Sequence, residues 1–369
     1  MTMTERVPDA ESDAAETRCG YVALAGRPNV GKSTLMNHLL GRKLSITSRK
    51  PQTTRQALIG VLTRGPAQIV FVDTPGIHVA GGRALNRYMV GQAVGSLAGV
   101  ELALMLVEPS GWRAGDEIVR RRIRESGVPC ICVINKIDRL PRKDRLLPLL
   151  DDLSRRHDFE ALVPVSALKN LALDDLLDEI AGRLPRRAHL FAADEVTDRS
   201  LAFLVGEIVR EKAVRRLGAE LPHQTAVMVE RITLAAEPGS TNENNNAASQ
   251  LASSDDALPG TRPSKSYAEV DAVIYVERDT QKRIAIGKGG TMLRSIGEDA
   301  RKDIEILLGS QAMVRLWVKV DRRWSGRPEA LQRFGYYSPP APPAQSEAPA
   351  QDADKGVPHP RAGRARVDR

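Results

Sequence analysis

The sequence predicts a mostly parallel α/β sheet domain followed by a smaller α+β domain, and three observations carry that expectation. Short apolar runs alternate with helix-patterned stretches between Cys19 and Leu184, as in a parallel sheet covered by helices. From Leu201 the order changes to helix, two strands, helix, strand. Two stretches, 237–266 and 338–369, hold almost nothing that could be buried.

In the first domain, 19–184, strands are expected at 20–25, 57–63, 68–72, 101–107, 129–134 and 161–165, with a helix at 32–40. Loops at the C-terminal ends of such strands are where ligands bind in open α/β sheets. Residues 185–198 interrupt the pattern and read as a linker, and 1–18, polar and acidic, as a disordered tail. The second domain, 199–337, opens with Leu201, Leu204, Val205 and Ile208 on one helical stripe. Strands follow at 226–232 and at Val270, Ala272, Ile274 and Val276, whose apolar side chains share one face. After the expected disordered insertion at 237–266 come an apolar segment at 283–286 and a helix striped by Leu293, Ile296, Ala300, Ile304 and Leu307. A strand carrying Val314, Leu316, Val318 and Val320 closes the unit. A Pro-, Ala- and Arg-rich tail, 338–369, is expected to be disordered.

A net charge of +8 and a pI near 9.5 favour a polyanionic partner, because Lys and Arg displace counterions from phosphates. The three cysteines cannot form a disulfide framework, and Cys130 and Cys132 lie in an apolar run read as a buried strand. Neither they nor the scattered histidines have metal-ligand spacing. The N-terminus lacks the apolar core of a signal peptide, and no run is long enough to span a bilayer.

Gly26-Arg27-Pro28-Asn29-Val30-Gly31-Lys32-Ser33 matches GxxxxGK[ST] between an expected strand and an expected helix. Glycines let successive N–H groups turn inward on phosphates, and the helix terminus adds partial positive charge. Lys32 is expected on the β- and γ-phosphates and Ser33 on Mg²⁺. Asp73-Thr74-Pro75-Gly76 ends a strand, where a carboxylate can hold the Mg²⁺ shell and the Gly76 N–H can meet the γ-phosphate.

Asn135-Lys136-Ile137-Asp138 resembles the NKxD motif with which translation-factor-like GTPases read guanine. Asp138 can accept from the guanine N1 and N2 donors, and adenine would leave that carboxylate unpaired. Lys136 would pack over the base, and Ser166-Ala167 resembles the motif whose backbone N–H meets guanine O6. Gly287-Lys288-Gly289-Gly290 is a GxxG before a helix, similar to the signature loop of KH domains, where small residues admit a sugar-phosphate chain. Ile286 and Arg294 flank it; Lys282, Arg283, Lys288, Arg301 and Lys302 add charge, and Ile284, Ile286 and Ile296 are candidates for an apolar groove or, for most of them, plain core.

A P-loop NTPase G domain followed by a type II KH domain resembles the bacterial Era GTPases, from about Cys19 to Tyr336. Thr197-Asp198-Arg199-Ser200, Leu217-Gly218-Ala219-Glu220-Leu221-Pro222, Ala300-Arg301-Lys302-Asp303 and Leu316-Trp317-Val318-Lys319-Val320 look like that family too. The resemblance implies GTP and GDP as ligands with Mg²⁺, and a first switch at Ser48 to Arg55 in which Thr54, or Thr53, ligates the metal. Ile77 stands where Ras-like proteins carry a water-orienting Gln, so intrinsic hydrolysis is expected to be slow. Asn29 matches a P-loop asparagine that holds K⁺ in several relatives. The resemblance further implies binding to the 3′ end of 16S rRNA during assembly of a 30S precursor, by a cytoplasmic monomer with a peripheral inner-membrane fraction. The alternative is a membrane-associated signalling or cell-cycle GTPase. The insertion and the C-terminal tail are departures from the family's pattern.

Overall fold

The computed structural model describes residues 17–47, 57–73, 95, 97–217, 225–235 and 267–336. Thr53, Thr54, Thr74, Pro75, Gly76 and Ile77, with residues 1–16, the insertion and the C-terminal tail, lie outside the described residues, whereas Thr17 and Arg18, expected in the N-terminal tail, are described and Arg18 opens the first strand.

The first sheet has six strands: β1 (Arg18–Gly26), β2 (Leu58–Arg64), β3 (Ala67–Asp73), β4 (Leu102–Val107), β5 (Cys130–Asn135) and β6 (Ala161–Val165). Their spatial order is β2-β3-β1-β4-β5-β6, all parallel except the antiparallel β2–β3 hairpin. Helices α1 (Lys32–Leu39), α2 (Ala114–Ser126), α3 (Leu146–Arg156) and α4 (Leu173–Arg183) cover it. Burial on both faces explains the unbroken apolar runs, of which Leu-Ala-Leu-Met-Leu-Val in β4 is the clearest. Alternate residues feed different cores. Val22, Leu24, Phe71, Leu104 and Val133 pack with Leu35 and Met36 of α1 and Leu176 and Ile180 of α4. Ala23, Ala25, Ala103, Met105 and Ile134 pack with Val119 and Ile123 of α2 and Leu153 of α3, and Cys130 and Cys132 lie buried in this second core.

Residues 185–198 contain no helix or strand but are strapped to the sheet edge. The buried Gln68 side chain accepts from the Leu190 and Phe191 N–H groups at 2.8 and 2.9 Å. Farther on, Val61 N–H donates to the Val196 carbonyl at 2.8 Å and Thr197 Oγ1 to the Ile59 carbonyl at 2.7 Å.

The second sheet runs β7 (Ala226–Ala235), β8 (Tyr267–Val276), β9 (Gln311–Val320), with β7–β8 antiparallel and β8–β9 parallel. A parallel pair needs a long crossover, supplied here by α6 (Asp279–Ile286), the glycine loop and α7 (Thr291–Leu308). Helix α6 replaces the short apolar segment expected at 283–286 and completes the order helix, two strands, two helices, strand. Helices α5 (Leu201–Arg216) and α7 lie on one sheet face, burying Val205, Val209, Ile296, Ala300 and Ile304 against Val270, Ile274 and Val318. Leu204, with Phe203 and Leu307 beside it, also joins the first core, so the two sheets share packing through α5 and α7. A last segment, unforeseen in the sequence, runs through α8 (Pro328–Arg333). It packs Trp324, Phe334 and Tyr336 around Tyr275, with Trp324 edge-on to Phe334 at 5.2 Å.

Candidate nucleotide and RNA sites

Four of the sequence motifs converge at the C-terminal edge of β1, β3, β5 and β6. The P-loop leaves β1 and enters α1 through Gly31 at φ 107°, where a Cβ would stand 2.3 Å from Asn135 Nδ2. No side chain fits there, so only glycine permits this approach of the loop to β5. Asn135, fully buried, is the joint: Nδ2 donates to the Val30 carbonyl at 2.9 Å, while Oδ1 accepts from Lys136 N–H at 2.8 Å and Ala167 N–H at 3.0 Å. One side chain thereby ties together the phosphate loop, the base-reading turn and the loop after β6. Within the Ser166-Ala167 pair, the Ala167 N–H is engaged by Asn135 in this arrangement.

Lys136 adopts φ 70° and sends Nζ back to the Asn29 carbonyl and to Glu108 Oε1, both at 2.5 Å. Asp138 is exposed just beyond, in a 3₁₀ turn, and accepts the Ser166 hydroxyl at 2.5 Å. Ile137 is half-buried beside it. Neither Glu108 nor its neighbour Asp116 stood out in the sequence. Burial disfavours the Glu108 carboxylate, yet the hydrogen bond and charge of Lys136, with Arg27 and Arg113 behind, hold its pKa below the ordinary value. Arg27 reaches Glu108 at 3.7 Å and donates to the buried Asp116 at 2.7 Å, and Asp116 in turn accepts the Arg113 N–H at the start of α2. The P-loop is thus braced from α2 as well as from β5. Pro28 is half-buried, and Asn29 is exposed at φ 67°, a left-handed conformation that asparagine tolerates better than most side chains.

At the phosphate end Lys32 is buried and donates to the Gly26 and Arg27 carbonyls, each at 3.1 Å. Desolvation lowers its pKa to about 8, against the opposing pull of Asp73. Ser33 Oγ donates to Asp73 Oδ2 at 2.8 Å. The same oxygen accepts from the buried Ser45 at 2.6 Å, a residue that sequence reasoning missed because its partner lies 28 positions away. Hard oxygen donors on Ser33 and Asp73 suit Mg²⁺, and a polyphosphate would supply the counter-charge that the buried Lys32 ammonium needs.

At the glycine loop, Gly287 has φ 77°, Gly289 59° and Gly290 80°. A Cβ on Gly287 would meet Met292 N at 2.8 Å, whereas one on Gly289 or Gly290 would meet nothing within 4 Å. Lys288 is exposed, and Gly290 opens α7. A groove of about 670 Å³ runs between α7 and β9, lined by Gly290, Leu293, Arg294, Arg301, Met313 and Leu316 among others. Of the isoleucines read from the sequence as groove or core, Ile296 is fully buried in the core, Ile286 packs against that core, and Ile284 is exposed on α6. Helical spacing alone does not separate core from groove, because both lie on neighbouring stripes of one helix.

Residues 21–136 match a family described as a 50S ribosome-binding GTPase, and residues 261–325 match the KH domain. GTPase Era of Marinobacter nauticus is 44% identical over 320 residues, covering 87% of this chain and 95% of its own length. GTPase Era of Pseudomonas putida is 42% identical over 327 residues, 89% of this chain and 99% of its own. Among solved structures, an Aquifex aeolicus Era variant bound to GDP and AlF4⁻ superposes with a TM-score of 0.76 at 39% identity, covering 87% of this chain and 99% of that one. An Era complex with MgGDPNP and nucleotides 1506–1542 of 16S ribosomal RNA gives 0.75 at 39% identity with the same coverage. With the motifs in place along both domains, the chain belongs to the Era family of GTPases.

Proposed function

We propose that this GTPase is a nucleotide-controlled RNA-binding switch that acts on the 3′ end of 16S rRNA during assembly of the 30S subunit. The observation that carries the reading is that one relative, alike over nearly its whole length, holds both MgGDPNP and 16S rRNA. The description attached to residues 21–136 names the large subunit. It concerns the nucleotide-binding part alone, whereas the rRNA complex matches both domains, so the small subunit is the better partner.

Lys32 neutralises the phosphates, Ser33 and Asp73 hold Mg²⁺ with Thr54 or Thr53, and Gly76 offers its N–H to the γ-phosphate. The bound metal supplies charge neutralisation at the β- and γ-oxygens. Gly26 to Val30 and Gly31 shape the loop, Asp138 reads guanine, Lys136 covers it, and Asn135 with Ser166 and Ala167 holds the pocket wall. Thr74, Pro75 and Ile77 are assigned to the nucleotide by their place in the motif that begins at Asp73. Gly287 to Gly290 with Ile286 and Arg294 take the RNA backbone, and unstacked bases enter the groove beside them. Domain limits at 19–184 and 199–337, a monomeric state and peripheral inner-membrane contact belong to the same proposal; co-sedimentation with anionic vesicles tests the last. K⁺ stimulation through Asn29 is a finer proposal, since its left-handed φ explains an asparagine without an ion; equal turnover in Na⁺ and K⁺ would remove it.

The decisive test compares binding of a 16S 3′-end RNA in GDP and in a non-hydrolysable GTP analogue, for wild type and a Lys288→Asp, Gly289→Asp pair. Open space at Gly289 and the tolerance of Asp for positive φ leave the fold of the pair intact. Expected are tighter binding in the GTP-like state and at least a tenfold loss in the pair. Affinity indifferent to both nucleotide and loop would defeat the proposal.

A further inference from the structure

Residues 41–47 leave α1 and lead toward Thr53 and Thr54. Asn37 folds this loop, with Oδ1 accepting from Leu44 and Ser45 N–H at 3.0 and 2.8 Å and Nδ2 donating to the Ser45 carbonyl at 2.8 Å. Ser45 is thereby seated on Asp73 Oδ2, the oxygen that Ser33 also reaches. Two residues to either side, the same loop is bonded to the helices of the second domain. Lys43 Nζ donates to Glu211 Oε1 at 3.0 Å and to Asp303 Oδ2 at 2.5 Å. Thr47 N–H donates to Glu211 Oε2 at 3.4 Å, and Arg215 donates to the Thr47 carbonyl at 2.7 Å and to its hydroxyl at 3.0 Å.

Glu211 is fully buried on α5 and also pairs with Arg215 at 2.6 Å; Lys212 bonds Asp303. Asp303 lies on α7, the helix that begins at the glycine loop and lines the groove. If Lys43 leaves, Glu211 keeps Arg215 and Asp303 keeps Lys212, so neither carboxylate is stranded and the loop can exchange this set of bonds for another. Mg²⁺ brought to Asp73 with the nucleotide would compete for the oxygen on which Ser45 sits, so occupancy of the phosphate site acts through the metal on Ser45 and, two residues away, on Lys43 and Thr47. Coupling between two ligands requires such contacts to differ between states.

We propose that residues 43–47 are the mechanical link between the phosphate site and the RNA-binding helix, with Lys43 the positioning residue and Glu211 and Asp303 its receivers. The link rests on the Mg²⁺ reading of Asp73 given above.

The test measures affinity of the full chain for a 16S 3′-end RNA in GDP and in a non-hydrolysable GTP analogue, for wild type, Lys43→Met, Asp303→Asn and the double variant. Lys43 is partly exposed, so its replacement leaves a folded protein, checked by a thermal melt and by GDP affinity within twofold of wild type. In Lys43→Met the ratio of the two RNA affinities falls at least fivefold toward one, and the double variant loses no more than the larger single loss. Ser45→Ala, which keeps the ion pairs, loses the ratio to a similar extent. An unchanged ratio in Lys43→Met, or losses that multiply in the double variant, overturns the link. A wild type with no nucleotide dependence overturns the switch reading beneath it instead.

Discussion

In the nucleotide site, side chains hold the backbone. Asn135 bonds three loops at once, Ser166 holds Asp138, and Arg27 and Lys136 anchor the phosphate loop to Glu108 and Asp116. At the glycine loop the backbone is offered outward: Gly289 and Gly290 face open space at positive φ, and the charge beside them is on the exposed Lys288 and Arg294. The difference follows from what each must recognise. Choosing guanine over adenine needs polar groups whose loss of a partner is costly. Taking hold of an RNA chain needs close backbone approach and a charge that acts at longer range. Substitutions in the first region should therefore cost orders of magnitude, and in the second about one.

The largest effect is expected at Asp138. Replacing it with Ala removes the acceptor for both guanine donors and is expected to weaken GDP binding on the order of 10³-fold or more. RNA binding by the nucleotide-free protein should not change. Displacement of a fluorescent GDP analogue measures it, and a loss under tenfold would break the contrast between the two regions.

Next comes Asn135→Ala. The three hydrogen bonds it forms, at roughly 1 kcal/mol each, amount to about 3 kcal/mol, or on the order of 10² in GDP affinity. Because the P-loop and the base-reading turn would loosen together, GDP and isolated pyrophosphate should both bind more weakly. If only the guanine-containing ligand were affected, Asn135 would belong to the base pocket alone and the shared-joint account would be wrong.

How much of this was legible in the sequence depends on the range of the interactions. Strands buried on both faces announce themselves as apolar runs, and motifs whose partners lie within a few residues, such as Gly31-Lys32-Ser33 and Gly287 to Gly290, carry their own context. Helix α6 escaped because Asp-Thr-Gln-Lys-Arg-Ile-Ala-Ile bunches its apolar residues at one end rather than spacing them along a stripe. Ser45 and Glu108 escaped for another reason: each bonds a residue 28 positions away, and a single polar side chain in a loop leaves no periodic trace. The strap at 185–198 is held partly by its own backbone N–H and C=O groups, which every sequence possesses. The aromatic cluster around Trp324 has irregular spacing that matches neither helix nor strand. Sequence reasoning thus proposed groups for the nucleotide and missed most of the side chains that brace those groups in the fold.

The smallest effect sharpens the comparison from the phosphate end. Lys32 is buried for a ligand, and without nucleotide its charge is a liability to folding, whereas Lys288 in solvent carries no such burden. Its folded pKa of about 8 lies below the ordinary lysine value of 10.5, so the unfolded chain binds more protons between those two values and stability rises with pH across that window. Below pH 8 both states are protonated, and the full desolvation penalty applies. Lys32→Met should therefore be more stable than wild type at pH 7 in the absence of nucleotide, and the gap should narrow by about 1 kcal/mol between pH 8 and 9. Urea denaturation of the two proteins at each pH measures the gap, with titrations common to both cancelling in the difference. A gap that stays constant with pH would mean that Lys32 keeps its charge comfortably without phosphate, and that the nucleotide site, like the glycine loop, is organised before its ligand arrives.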